Sequence, residues 1–227
     1  MATRSSGWAH DVWAVCRKEL RSELRTRYAL NAVLLFAVTS VVMIGFATSI
    51  AGTQPRTQAA LFWVIVFFSA MSALSQVFVK EEEAGTSLAL KLAARPDAVY
   101  FGKLLFNLLL LALLTAVVTP LFIMLVGMEV HDWTTFAAVL ILGVFGLAGA
   151  TTTVAAIVAQ ASSRGALFAV LSFPILLPLL IAAIGGTMAA LDPVGAASAA
   201  GELKLMGAYA VAMLTGSWLL FEFVWWT

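Results

Sequence analysis

The charged residues of this 227-residue chain are bunched, and the gaps between them are long. Uncharged runs occupy 28–55, 57–79, 104–128, 133–163, 165–191 and 205–221. Five of the six exceed the roughly 20 residues needed to cross a bilayer core. The last has 17 residues before Glu222 and gains length from Phe223, Val224, Trp225 and Trp226. Runs that are apolar on every face do not alternate as strands do. A backbone in lipid must also satisfy its own polar groups, as a helix does. The chain is 62% hydrophobic and 11% charged, against roughly 25% charged in soluble domains. There is too little polar material for a soluble surface, and disorder is excluded on the same ground. Net charge of +1 gives no basis for a nucleic-acid partner.

Basic residues set the expected orientation, because cytoplasmic flanks carry the excess of Lys and Arg. Arg4, Arg17, Lys18, Arg21, Arg25 and Arg27 precede the first span. Lys80, Lys91, Arg95 and Lys103 follow the second, and Arg164 follows the fourth. Only Arg56 and Lys204 fall on the other side. Both termini are therefore expected in the cytoplasm. Ser49-Ile50-Ala51 has the look of a cleavage site, but the basic region before it is too long for a signal peptide. The first span reads as an uncleaved anchor.

The chain divides into an N-terminal amphipathic helix, 1–28, and a six-span membrane domain, 29–227, with a polar loop at 80–103. In the first part Trp8, Val12, Cys16, Leu20, Leu24 and Tyr28 recur at i+4 and form an apolar ribbon. Arg17, Arg21 and Arg25 make a flanking basic row. Glu19 and Glu23 are expected on the polar side, with Glu23 pairing with Arg27. Such a helix should lie flat at the cytoplasmic leaflet.

The 80–103 loop opens with Lys80-Glu81-Glu82-Glu83. Gly85 suits a sharp turn, and Thr86 or Ser87 can cap a new helix. Leu88, Leu90 and Leu92 with Lys91 and Arg95 then form a short amphipathic helix, which Pro96 is expected to stop. Phe101-Gly102-Lys103 leads back to the membrane. Such a helix, bent away from its parent span, is a docking knob for a soluble partner; otherwise the segment is a solvated loop.

The order Glu82-Glu83, Gly85-Thr86, Leu88, Leu92, Pro96 and Gly102-Lys103 resembles the coupling segment of ABC-2-type permeases. Gly127-Met128-Glu129-Val130 with Trp133 resembles the turn after span three in the cytochrome c maturation B family, the permease of the so-called heme exporter. The stretch from Phe173 to Ile181, with Pro174 and Pro178, is similar to that family's proline-paired fifth span. Lys18-Glu19-Leu20-Arg21 fits its basic start. Departures are Ser87-Leu88 where the family often has Leu-Glu, and the aromatic C-terminus where a basic, alanine-rich ending is usual. The resemblance implies an all-α, ABC-2-type membrane domain acting in cytochrome c maturation in the bacterial inner membrane. It implies ATPase-coupling roles for Glu82, Glu83, Gly85, Thr86, Leu88, Leu92 and Pro96. Its expected partners are two copies of a cytoplasmic ABC ATPase subunit, a second copy of this chain, and a heme-handling membrane protein. ATP would bind the partner subunit, and heme would be cargo or sit on a partner, with no cofactor held by this chain alone. What is driven is heme itself or the release of a heme-chaperone complex.

Enzyme signatures are missing: there is no Gly-rich Lys-Ser/Thr loop, no His-Glu-x-x-His and no cysteine pair. His10 and His131 cannot build a protein-only metal cage. His131, beside Trp133 in a short outer loop, is a candidate heme ligand, against an ordinary interfacial histidine. Glu222 lies within the last span near its cytoplasmic end, in reach of headgroups. Pro174 and Pro178 each remove a helix donor and are hinge or kink candidates. Gly143, Gly146 and Gly149 suit close helix packing. The small-residue stretch 185–203, with Asp192-Pro193, is expected as an outer loop or short interfacial helix. Two further readings stand beside the heme-related one. An ABC-2 permease for a drug or lipid keeps the architecture; a lipid-modifying membrane enzyme would need convergent polar residues that the spans lack.

Overall fold

The computed structural model describes residues 7–26, 28–48, 53–74, 95–158, 164–193 and 199–226. They form seven helices: α1 (Trp8–Thr26), α2 (Tyr28–Thr48), α3 (Pro55–Leu74), α4 (Pro96–Val126), α5 (Trp133–Val158), α6 (Arg164–Leu191) and α7 (Ala200–Trp226). Helices α2 to α7 are each long and apolar enough to span a membrane. The six-span expectation and the preceding helix therefore hold among the described residues.

Two boundaries differ from the sequence reading. Pro96 opens α4, with Arg95 held extended before it, as the residue preceding proline prefers; the short helix expected ahead of it lies outside the described residues. Proline suits this first position because its missing N–H would have no intrahelical acceptor there. The third span thus starts eight residues before the uncharged run does, and it carries Asp97 and Lys103 inside the helix. At 31 residues α4 is about 46 Å long, well beyond a core of roughly 30 Å. The second difference lies at 185–203. Gly185 and Gly186 continue α6 to Leu191, and α7 already begins at Ala200.

Helix α5 is the most buried span and sits against both α6 and α7. Its glycines face three different helices rather than forming one stripe. A Cβ on Gly143 would lie 2.2 Å from the Trp63 ring on α3. On Gly146 it would meet Leu179 of α6 at 2.7 Å, and on Gly149 Leu214 of α7 at 3.2 Å. Without a hydrophobic drive between spans, such close packing and interhelical hydrogen bonds hold the bundle. Trp63 Nε1 donates to Thr187 Oγ1 at 2.8 Å, tying α3 to α6. Tyr209 Oη on α7 donates to the Ile175 carbonyl on α6 at 2.9 Å.

The helix ends remote from α1 are pinned by short turns. Gly127 closes α4 with φ 71°, a conformation that glycine adopts without steric cost. Asp132 caps α5: its carboxylate accepts from the Thr134 and Thr135 hydroxyls, both at 2.6 Å, and from their backbone N–H groups. Those hydrogen bonds hold its pKa at about 2. The His131 and Asp132 N–H groups both donate to the Ala190 carbonyl at 3.0 Å, so the α4–α5 turn is fastened to the end of α6.

Gly143→Leu should destabilise the purified protein by about 1–3 kcal/mol through overpacking against Trp63. Gly207, with open space around it, should accept the same change with little effect. Thermal unfolding in detergent compares the two.

Candidate coupling interface

Helix α1 is built with one face for protein and one for solvent or headgroups. Val15, Cys16 and Glu23 are buried, whereas Arg17, Arg21 and Arg25 are exposed. Trp8 and Leu24 of the expected ribbon, and Trp13 beside it, are also exposed. The expected basic row is therefore present as an outward face. The acidic residues are the correction: Glu19 and Glu23 point inward, not to the polar side.

Helix α1 packs against the projecting base of α4. The closest approach is at Gly102. A Cβ there would lie 2.6 Å from Val15 Cβ and 2.9 Å from the Val12 carbonyl oxygen. Any side chain at 102 would push the helices apart. One residue on, the Lys103 side chain is fully buried and its Nζ donates to Glu19 Oε1 at 3.2 Å. Glu19 keeps 13% exposure and also accepts from Lys18 at 3.4 Å. A buried ammonium needs such a carboxylate, since an uncompensated charge away from water is expensive. The reading of Lys103 as a surface topology marker thus missed its contact; the signal was a lysine one residue after a glycine, facing a glutamate on an amphipathic helix.

The neighbouring turns extend the joint. Trp8 of α1 meets Phe101 edge-on at 5.5 Å, and Phe101 meets Trp218 of α7 at 6.4 Å. Tyr100 packs against Phe221 at 5.2 Å. Asn107, one helical turn beyond Lys103 on the same face, donates to Thr152 of α5 at 2.7 Å. Thr153 and Ser217 join α5 to α7 through their hydroxyls. On α1's other end Glu23 Oε1 accepts from the Leu30 N–H at 3.0 Å. A carboxylate at the start of α2 satisfies a free donor and complements the helix dipole. Burial, with Glu19 adding to it, raises the Cys16 thiol pKa.

Of the expected coupling residues, Glu82, Glu83, Gly85, Thr86, Leu88 and Leu92 lie outside the described residues, as does Arg27. Pro96 stands at the foot of α4, nearly two turns before the α1 contact at Gly102. Pro174 and Pro178 lie within α6 and face outward. His131 sits at the opposite end of α4 and is exposed, in a small pocket with Glu129 and Gln58. It is not brought near the joint. The Glu222 side chain is outside the described set.

A profile of the family described as CcmB protein matches residues 10–221. The chain belongs to the CcmB family. Its six-span architecture is that of an ABC-2-type permease. It is also 36% identical over 115 residues to the probable ABC transporter permease protein NosY of Pseudomonas aeruginosa. That alignment takes in 47% of this chain and 42% of that protein, so it spans less than half of the relative's length. In this CcmB-family chain the matched region includes α1 from His10, so the helix and the joint belong to the family's extent and are not an appendage.

Glu19→Gln takes one carboxylate from the buried ammonium and should cost about 2 kcal/mol. Combined with Lys103→Met, the loss should be smaller than the sum of the single changes by about 1 kcal/mol or more. A double-mutant cycle on denaturant unfolding in detergent measures this. Strict additivity would mean that the two side chains do not interact energetically.

Proposed function

We propose that this chain is the membrane subunit of an ABC transporter that acts in cytochrome c maturation. ATP hydrolysis belongs to a separate cytoplasmic subunit, present in two copies beside two copies of this chain. The protein lies in the bacterial inner membrane with both termini in the cytoplasm, as the basic residues at that end favour. The observation that carries the reading is the joint between α1 and α4. The acidic, leucine-bearing segment 81–95 leads directly into Pro96, and within two turns of Pro96 the helix is packed and ion-paired to α1. A push on that segment would therefore move α1 and α4 together rather than bend a loose loop. The tie continues to α5 through Asn107 and Thr152.

The family's name supports the cytochrome c assignment. Within it, ATP-driven release of a heme-chaperone complex fits better than passage of heme through the spans. The polar groups of Asn107, Thr152, Thr153 and Ser217 make helix–helix ties. A channel would need polar residues to line it.

Co-expression with its ATPase and purification in detergent tests the reading. The ATPase should remain bound to the wild type and be lost, by about tenfold or more, from Gly85→Pro and Leu88→Asp. Cells carrying those variants should also fail to assemble cytochrome c. Full retention of the ATPase on both variants would end the docking assignment. Normal cytochrome c in cells lacking the chain would redirect the substrate class to a drug or lipid.

A further inference from the structure

At the end of the bundle remote from α1, three helix termini converge on a pocket of about 330 Å³. Thr53, Pro55 and Gln58 bring the start of α3, Gly127 the end of α4, and Leu191 the end of α6. Glu129 and His131 come from the α4–α5 turn, which the two hydrogen bonds to Ala190 hold in place. Gln58 is only 8% exposed and lines the pocket, its side-chain amide making no hydrogen bond to the described residues while its polar atoms stay open to the cavity. The Glu129 carboxylate and the His131 imidazole likewise have no partner there.

The pocket's groups sort by charge. Glu129 and the carboxyl ends of α4 and α6 make one side negative, since helix C-termini carry partial negative charge. Its acceptors are the Glu129 carboxylate, the Gln58 amide oxygen, and the Thr53 hydroxyl or the His131 imidazole. That number matches the three donors of a primary ammonium. Pro55, Leu191 and Pro193 form the apolar remainder. On the other side, the first turn of α3 carries the exposed Arg56, suited to a phosphate. The position, at the ends of membrane spans, is where lipid headgroups lie.

We propose that this pocket binds the headgroup of a phosphatidylethanolamine, with the ammonium against Glu129 and Gln58 and the phosphate toward Arg56. The assignment does not depend on the transporter reading. The test uses the full chain in nanodiscs of phosphatidylglycerol, doped with either phosphatidylethanolamine or phosphatidylcholine, whose headgroup lacks N–H donors. Native mass spectrometry after release should show ethanolamine-lipid adducts in preference to choline-lipid adducts. Glu129→Gln and Gln58→Leu should each lower that preference by about tenfold, the loss of one charge-assisted or buried hydrogen bond. Glu129 is exposed, so its variant should fold normally. Equal retention of the two lipids, or a preference unchanged in Glu129→Gln, would overturn the proposal. Displacement by a lysine peptide with no lipid preference would assign the pocket to a protein partner and overturn it as well.

Discussion

A lysine ammonium with no exposure to water is the constraint around which the half of this bundle next to α1 is arranged. There Lys103 Nζ donates to Glu19 of α1. Glu19 can reach it because Gly102 lets α1 come within backbone distance of α4. The ion pair and the glycine are therefore one device. Neither has much meaning alone: a buried pair is weak evidence for stability in itself, and a glycine in a helix is ordinarily unfavourable. Together they specify where α1 sits and in what register.

That placement gives the amphipathic helix two jobs. Its inner face completes the base of α4, which is too long to be covered by lipid. Its outer face keeps Arg17, Arg21 and Arg25 free for anionic headgroups or a soluble partner. The aromatic contacts from Trp8 through Phe101 to Trp218 extend the joint to α7. Asn107 and Thr152 carry it to α5, the packed centre of the bundle. Load applied at the foot of α4 thus has a continuous path of packed and hydrogen-bonded side chains into the core.

The spans were legible because membrane crossing is a demand on length and apolarity, and both are written in the gaps between charges. Errors came where a charge lies inside a helix. Asp97 and Lys103 end the uncharged run, so the start of α4 was placed at 104 instead of Pro96. Glu19 and Glu23 were assigned to the polar face because amphipathicity sorts residues by type and cannot show that a carboxylate meets a buried lysine or the start of α2. At Gly185-Gly186 composition suggested a loop. The glycines instead make room for Glu202 and Val139 against α6, a tertiary reason that no local pattern carries. The coupling residues from Glu82 to Leu92 were read by resemblance and lie outside the described residues.

Cys16 offers a direct reading of the joint, since it is the chain's single cysteine and is fully buried on the inner face of α1. The decisive measurement is its labelling rate with a maleimide in the detergent-purified, folded protein. The account expects protection in the wild type, by burial and by a raised thiol pKa, and labelling at least about tenfold faster in Gly102→Leu, where α1 cannot dock. Labelling of wild-type Cys16 as fast as that of the unfolded protein, or a rate indifferent to Gly102→Leu, would contradict it.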